Sequence, residues 1–286
     1  MVAALPGQLV ARLVREALME DLGPGDLTCE SVIDPGAIAE ASITAGEPLV
    51  VAGAQPCALA FRQLDPDVRV VEALADGSRA SAGDILLRVR GRAAALLSAE
   101  RTALNFLAKL SGIATQAHRC VDAVAGTGAL IYDTRKTTPG LRLLEKQAVA
   151  AGGACNHRFG LFDAVLIKDN HLTMAGSLSG AVGRARARVG AAAPIEVEIE
   201  RLEDLTEAID AGADIVLLDN MPPEMVRAAV VMAAGRVSLE ASGGITLENL
   251  RAYAETGVNR ISLGALTHSA RSVDVSMTLS PAPSAP

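Results

Sequence analysis

Beyond residue 128 the chain alternates short apolar runs with alanine-rich helical stretches, and this alternation constrains the fold most. The runs are 130–133, 164–168, 195–200, 215–220, 237–241 and 261–263, with helical intervals such as 178–188, 202–211 and 223–234. Strand, helix, strand at that period predicts a parallel sheet with crossover helices, and so many units suit a barrel better than an open sheet. Most of the runs end in groups able to do chemistry: Asp133 with Arg135 and Lys136, Lys168 with Asp169, Glu198 with Glu200, Asp219 with Asn220, Ser242-Gly243-Gly244, and Gly264. In a βα barrel those ends share one face, which carries the active site. An open doubly wound sheet would gather only those near a switch point, and no G-x-G-x-x-G follows the first strand.

The densest of these segments lies between Tyr132 and His171. It holds Asp133-Thr134-Arg135-Lys136-Thr137-Thr138-Pro139-Gly140, then Asn156-His157-Arg158, then Lys168-Asp169-Asn170-His171. Its cationic or cationisable groups, Arg135, Lys136, His157, Arg158 and Lys168, run against a formal net charge of -7. The partner this implies is a small molecule with several negative charges. A nucleic-acid binder would show a basic domain with stacking aromatics, whereas this chain has two Tyr, four Phe and no Trp.

Ahead of the alternation the pattern differs. Residues 5–20 have helical spacing, Gly23-Pro24-Gly25-Asp26 breaks it, and 37–45, 49–52, 68–73 and 85–89 read as strands. A helix starts near Leu96, is expected to break at Ser111-Gly112, and resumes to Val124. Arg101 sits in its first turns, where composition alone makes it a solvated helix-face residue. The alternation of Val273, Val275, Met277 and Leu279 with polar residues predicts a late strand over 272–279. We divide the chain into a small N-terminal α+β domain (1–111, joined by 272–279), an α/β-barrel domain (112–271) and a disordered tail (280–286).

Cys29, Cys57, Cys120 and Cys155 form no C-x-x-C pair, so they suggest neither zinc nor a redox motif and fit a reducing compartment. No apolar run reaches the roughly 20 residues of a membrane span, and no leader pattern opens the chain, so a cytoplasmic protein without membrane contact is expected. Glu196, Glu198 and Glu200 alternate strictly with Ile195, Val197 and Ile199, which puts all three carboxylates on one face. As a wet edge strand this needs no function; facing the mouth with Asp219, it would hold a hard divalent cation. The glycine turns at 242–244 and 264–265 can cradle a phosphate on backbone N–H groups. Lys168 allows an anion contact or, if poorly solvated, a Schiff base.

Ser98-Ala99-Glu100-Arg101-Thr102-Ala103-Leu104-Asn105-Phe106-Leu107, Leu110-Ser111-Gly112-Ile113-Ala114-Thr115, residues 133–141, Asn156-His157-Arg158 and Ile167-Lys168-Asp169-Asn170-His171 together resemble the quinolinate phosphoribosyltransferase family. The likeness runs from Glu20-Asp21 to Gly264-Ala265-Leu266-Thr267-His268. It implies an N-terminal α/β sandwich with an incomplete (β/α) barrel, and a homodimer or higher even homo-oligomer whose sites are shared. It further implies that Arg101 reaches a neighbouring subunit's quinolinate, and that Thr134, Arg135, His157, Arg158 and Lys168 surround quinolinate. Phosphoribosyl pyrophosphate falls to Lys136, Glu198, Asp219, Ser242, Gly243, Gly244, Gly264 and Ala265. Lys136, Lys168, Glu198 and Asp219 would be catalytic, and Glu198 and Asp219 would hold Mg2+, partly through water, with no organic cofactor. Ala154-Cys155 and Gln147 depart from the family pattern beside its motifs. They keep open a same-fold oxyanion-binding branch associated with molybdenum transport, which would release no carbon dioxide.

Overall fold

The computed structural model describes residues 7–282, which fall into two compact units. The first comprises residues up to 116, 143–153 and those from 270 on; the second comprises 117–142 and 154–269.

The first unit opens with helices α1 (Gly7–Leu22) and α2 (Leu27–Val32), the latter capped by Asp26, whose Oδ1 accepts from the backbone N–H groups of Thr28 and Cys29. Then follow β1 (Ile38–Ala45), β2 (Leu49–Val50), α3 (Ala54–Leu64), β3 (Arg69–Ala73), β4 (Arg79–Ala80) and β5 (Ile85–Arg92). β1 buries Ala39, Ala41, Ile43 and Ala45 while the residues between them are more exposed. The helices complete the core with Val10, Val14 and Leu18 of α1 and Cys57, Ala60 and Phe61 of α3. Enclosing Phe61 alone contributes roughly 1.5–3 kcal/mol. β2 lies within the strand read over 49–52, whereas its partner β4, α2 and α3 were not expected, because such brief segments carry too few residues to reveal a period.

α4 (Ala93–Ala123) is one uninterrupted helix of 31 residues, which corrects the break expected at Ser111-Gly112. Both residues serve packing. The Ser111 hydroxyl accepts from the Ala52 N–H and donates to the Ala52 carbonyl. At Gly112 a Cβ would stand 2.0 Å from the Arg271 carbonyl oxygen, so a glycine admits the passing backbone. The unit boundary falls inside this helix, after Gln116.

The second unit contributes β6 (Leu130–Tyr132), after which α5 (Arg142–Ala151) lies mostly in the first unit. There follow β7 (Val165–Ile167), α6 (Asp169–Ala175), α7 (Leu178–Val189), β8 (Ile195–Ile199), α8 (Asp204–Asp210) and β9 (Ile215–Asp219). α9 (Pro223–Ala233), β10 (Ser238–Ser242), α10 (Leu250–Ala254), β11 (Arg260–Ser262) and α11 (Ala265–His268) complete it. The six strands form one parallel sheet in the order β6-β11-β10-β9-β8-β7. Chain order is kept around the sheet, but β6 and β7 are not paired, so the barrel is incomplete, as expected. Cys155 forms a parallel bridge with Tyr132 beside the open edge.

β12 (Val275–Pro281) returns to the first unit and pairs antiparallel with β1, in a sheet of order β12-β1-β5-β3. Ser280 and Pro281 stand opposite Glu40 and Ala39, which corrects the disordered tail expected from residue 280. A proline is tolerated there because β12 is an edge strand. Residues 283–286 of that expected tail lie outside the described residues.

Candidate active site

The strand ends of the second unit open on a cavity of about 400 Å3. Thr134, Arg135, Lys136, His157, Arg158 and Lys168 line it, as do Glu198 and Asp219. So do Ser242, Gly243, Gly244, Gly264 and Ala265. Arg101 is not among the residues that line it; it is exposed on α4, in the first unit.

Two loops carry the cationic groups, and buried polar residues fasten both. Asp133, expected to do chemistry at the mouth, is fully enclosed and spent on structure. Its carboxylate accepts from Asn156 Nδ2 and from the His157 N–H, each at 2.7 Å, tying the end of β6 to the Asn-His-Arg loop. Arg142, absent from the expected site, staples the same loops by donating to Thr137 Oγ1 at 2.9 Å, the Phe159 carbonyl at 3.1 Å and the Arg135 carbonyl. Asp163 closes the second loop by accepting from the N–H groups of Phe159 and Gly160. Loops held this way present their side chains already oriented, so binding spends little on ordering them.

The electrostatics of the rim follow from this placement. Arg135 and Arg158 each bury an Nε that has no hydrogen-bond partner among the described residues. Burial, and then the neighbouring Arg135, lower the Arg158 pKa from its ordinary value. Two guanidinium groups that repel each other in a desolvated corner form a site for an anion, and a planar carboxylate matches their donor geometry. Lys168 sits at the start of α6, where its ammonium donates to Glu198 Oε2. The lysine side chain is 42% exposed, so it is not the desolvated amine a Schiff base requires.

Glu198 and Asp219 stand on neighbouring strands, at and next to their C-terminal ends. Oxygen donors so arranged fit a hard divalent cation, with other positions left to water or substrate. Gly243 has a φ of +90°, and a Cβ on it would lie 2.2 Å from Asn220 Oδ1, so the turn after β10 admits no side chain there. Asn220 itself takes a φ of 54° and donates its N–H to the Ser242 carbonyl. The backbone of Lys136 is fixed from α11, its carbonyl accepting from Thr267 Oγ1 at 2.7 Å.

The alternation of glutamates divides in three. Glu200 lies beyond β8 and is exposed, so it does not share the inner face as expected. Glu198 is at the rim, while Glu196 is buried one pleat deeper. His157 Nε2 lies 3.0 Å from Glu196 Oε2 and 3.5 Å from Glu240 Oε1, so these three make an ionisable floor beneath the rim. Glu240 lines the cavity and was missed. The available signal was parity: it precedes Ser242 by two residues, hence shares its inward face. Burial and then Glu196 push the Glu240 pKa up to about 7, against the opposing pull of His157. Burial also raises the Tyr132 pKa, with Arg260 over its ring at 4.8 Å acting in opposition.

Comparison with known proteins agrees with this geometry. Residues 26–111 match the N-terminal domain and residues 113–278 the C-terminal domain of quinolinate phosphoribosyl transferase. A probable nicotinate-nucleotide pyrophosphorylase [carboxylating] of Bacillus subtilis is 47% identical over 266 residues, covering 93% of this chain and 92% of that protein. The nicotinate-nucleotide pyrophosphorylase [carboxylating] of Mycobacterium leprae is 43% identical over 272 residues, covering 93% and 95%. The solved structure of the nicotinate-nucleotide pyrophosphorylase from Francisella tularensis superposes with a TM-score of 0.93 at 38% identity, covering 98% of this chain and 99% of that one.

Proposed function

The chain belongs to the quinolinate phosphoribosyltransferase family, and from that premise we propose that the cavity at the strand ends is its catalytic site. Its reaction is transfer of a phosphoribosyl group from phosphoribosyl pyrophosphate to the ring nitrogen of quinolinate with loss of the 2-carboxylate. The products are nicotinate mononucleotide, pyrophosphate and carbon dioxide, in NAD biosynthesis.

One observation carries the site assignment: Arg135 and Arg158 offer buried, unpartnered donors side by side in one cavity. A pyridine with adjacent carboxylates supplies two anionic groups for them. Neutralising them lets the anionic cosubstrate approach. Thr134, His157 and Lys168 complete that end of the cavity. Lys136 and the turns at Ser242, Gly243, Gly244, Gly264 and Ala265 offer an ammonium and backbone N–H groups to the phosphoribosyl pyrophosphate.

Glu198 and Asp219 would hold Mg2+, which when bound supplies charge stabilisation to the departing pyrophosphate. Lys168 shares the Glu198 carboxylate, so its ammonium is kept beside the ribose position, where positive charge builds as the bond to pyrophosphate lengthens. The ring nitrogen, once alkylated, is cationic and stabilises the electron pair left on C2 as the carboxylate departs as carbon dioxide; C2 then takes a proton, and no organic cofactor is needed. Preorganised charge and positioning therefore carry the catalysis.

We further assign the protein to the cytoplasm, in keeping with four free thiols and with the absence, among the described residues, of a helix long and apolar enough to cross a membrane. We assign it a homodimer or higher even assembly, with Arg101 completing the partner subunit's quinolinate site; its exposure on α4 is compatible with that role.

The deciding experiment is incubation with quinolinate, phosphoribosyl pyrophosphate and Mg2+. Nicotinate mononucleotide with one equivalent of carbon dioxide is expected. Anion binding without product would favour the same-fold oxyanion binder. For the shared site, heterodimers of Arg101→Ala and Lys168→Ala subunits should regain activity that neither homodimer shows; no recovery would reject it.

A further inference from the structure

Glu240 is the most enclosed ionisable group of the cavity, and none of the roles above uses it. It is fully buried, and neither of its oxygens has a hydrogen-bond partner among the described residues. An ionised carboxylate there would lose its hydration and gain little in return. The groups facing it are His157 from the loop before β7, Glu196 from β8, Arg260 and Ser262 from β11, and Tyr132 from β6. The neighbouring β9 places Leu217 in register with it. Glu196 and Glu240 stand on strands separated by β9, so their carboxyl groups meet inside the barrel through the His157 ring.

The ring distinguishes the two. The Arg158 N–H donates to His157 Nδ1 at 2.8 Å, so that nitrogen keeps its lone pair and the ring proton resides on Nε2. Nε2 then has one hydrogen to give, and Glu196 is the nearer acceptor, at 3.0 Å against 3.5 Å for Glu240. The same tautomer argues against a metal ion, although donor atoms of the three residues lie within 4.8 Å of one another. A ligating Nε2 needs its lone pair, and Nδ1–H would then need an acceptor where this structure has a backbone N–H.

Building on the assignment of this cavity to quinolinate, we infer that Glu240 is a positioning and specificity-determining residue. It is held as the neutral acid beside the His157–Glu196 pair, so the single Nε2–H is left to Glu196, and it keeps a second negative charge off the floor of a dicarboxylate pocket. Ionising Glu240 would set two carboxylates against one ring proton and repel a doubly anionic substrate. The loss enters through quinolinate binding, because the phosphoribosyl end of the cavity is untouched.

The test is kcat/KM for quinolinate from about pH 6 to pH 9 at saturating phosphoribosyl pyrophosphate, since a free-enzyme group appears in that parameter. Wild type should fall tenfold per pH unit above about pH 7, through KM and not kcat. Glu240→Gln should lack this alkaline limb whatever its absolute rate, and Glu240→Asp should restore one. A limb unchanged in Glu240→Gln, or one carried by kcat, overturns the proposal. Nitrogen-15 shifts of the wild-type histidines supply an arm that needs no variant to fold and no turnover. Nε2–H on His157 at neutral pH is expected, and a proton on Nδ1 overturns it. Stoichiometric zinc or manganese lost on Glu240→Gln would also overturn it. If wild type makes no nicotinate mononucleotide at any pH, the assigned reaction fails, while the nitrogen shifts still decide the state of the floor.

Discussion

Two contacts between a nitrogen base and carboxylates occupy one cavity and differ in depth. At the rim, the Lys168 side chain is 42% exposed and its partner Glu198 11%. At the floor, His157 is 10% exposed, Glu196 3% and Glu240 0%. A solvated ion pair is worth only about 0–1 kcal/mol, so the rim can exchange partners with substrate at little cost. Removing one partner of a buried pair costs roughly 3–5 kcal/mol, so the floor keeps its partners through the reaction. On the proposed site assignment, depth separates the groups offered to substrate from the groups that hold them in place.

Substitutions test this division. The largest effect should come from the rim, where Arg135→Ala removes a preorganised donor and should lower kcat/KM by 100-fold or more, about 3 kcal/mol, with an unchanged melting temperature. Near-wild-type turnover by the folded variant would end the assignment. Asp133→Ala should act the other way round, because it leaves the Asn156 amide and the His157 N–H without their acceptor. Roughly 1–3 kcal/mol of stability should be lost in denaturant unfolding, together with activity. Activity loss without any stability loss would place Asp133 at the rim instead.

The floor should also show in stability against pH. Glu240 has a folded pKa raised from 4.5 to about 7, so it binds its proton more tightly when folded. Its contribution is fully present below its ordinary value and is lost as pH rises through about 7. The melting temperature of Glu240→Gln should therefore gain on wild type between those pH values and then run parallel. A constant difference would mean Glu240 is ionised throughout. The smallest effect is expected from Glu200→Gln, an exposed residue beyond β8, which should stay within about 0.5 kcal/mol in stability and leave kcat/KM unaltered. A clear loss of activity would return Glu200 to the inner face.

The parallel strands were legible because each combines an apolar run with a polar end, and those ends named most of the cavity lining. Asp133, Glu196 and Glu240 were read less well for a shared reason: a charged residue within a strand looks solvent-facing until the opposite wall is known. Glu196 reads as one of three equivalent carboxylates on a single face, and Glu240, between Leu239 and Ala241, is legible only through its parity with Ser242. Arg142 was invisible because its partners are mostly carbonyl groups of two loops, and backbone acceptors leave no residue-type signal. Ser111-Gly112 misled in the opposite direction, since a pair that breaks an isolated helix is here the means by which α4 meets Ala52 and Arg271.

The sequence by itself determined the alternation, the run of cationic segments between Tyr132 and His171, and through them the barrel and the anionic substrate. Periodicity and charge are local properties, and they survive in a linear string. Only the tertiary structure decided which charges lie at the rim and which beneath it, which nitrogen of His157 carries the proton, and that Asp133 fastens loops. Those depend on burial and on distances across strands that are far apart in the chain, where solvation and Coulomb energy are set by neighbours the sequence does not place side by side.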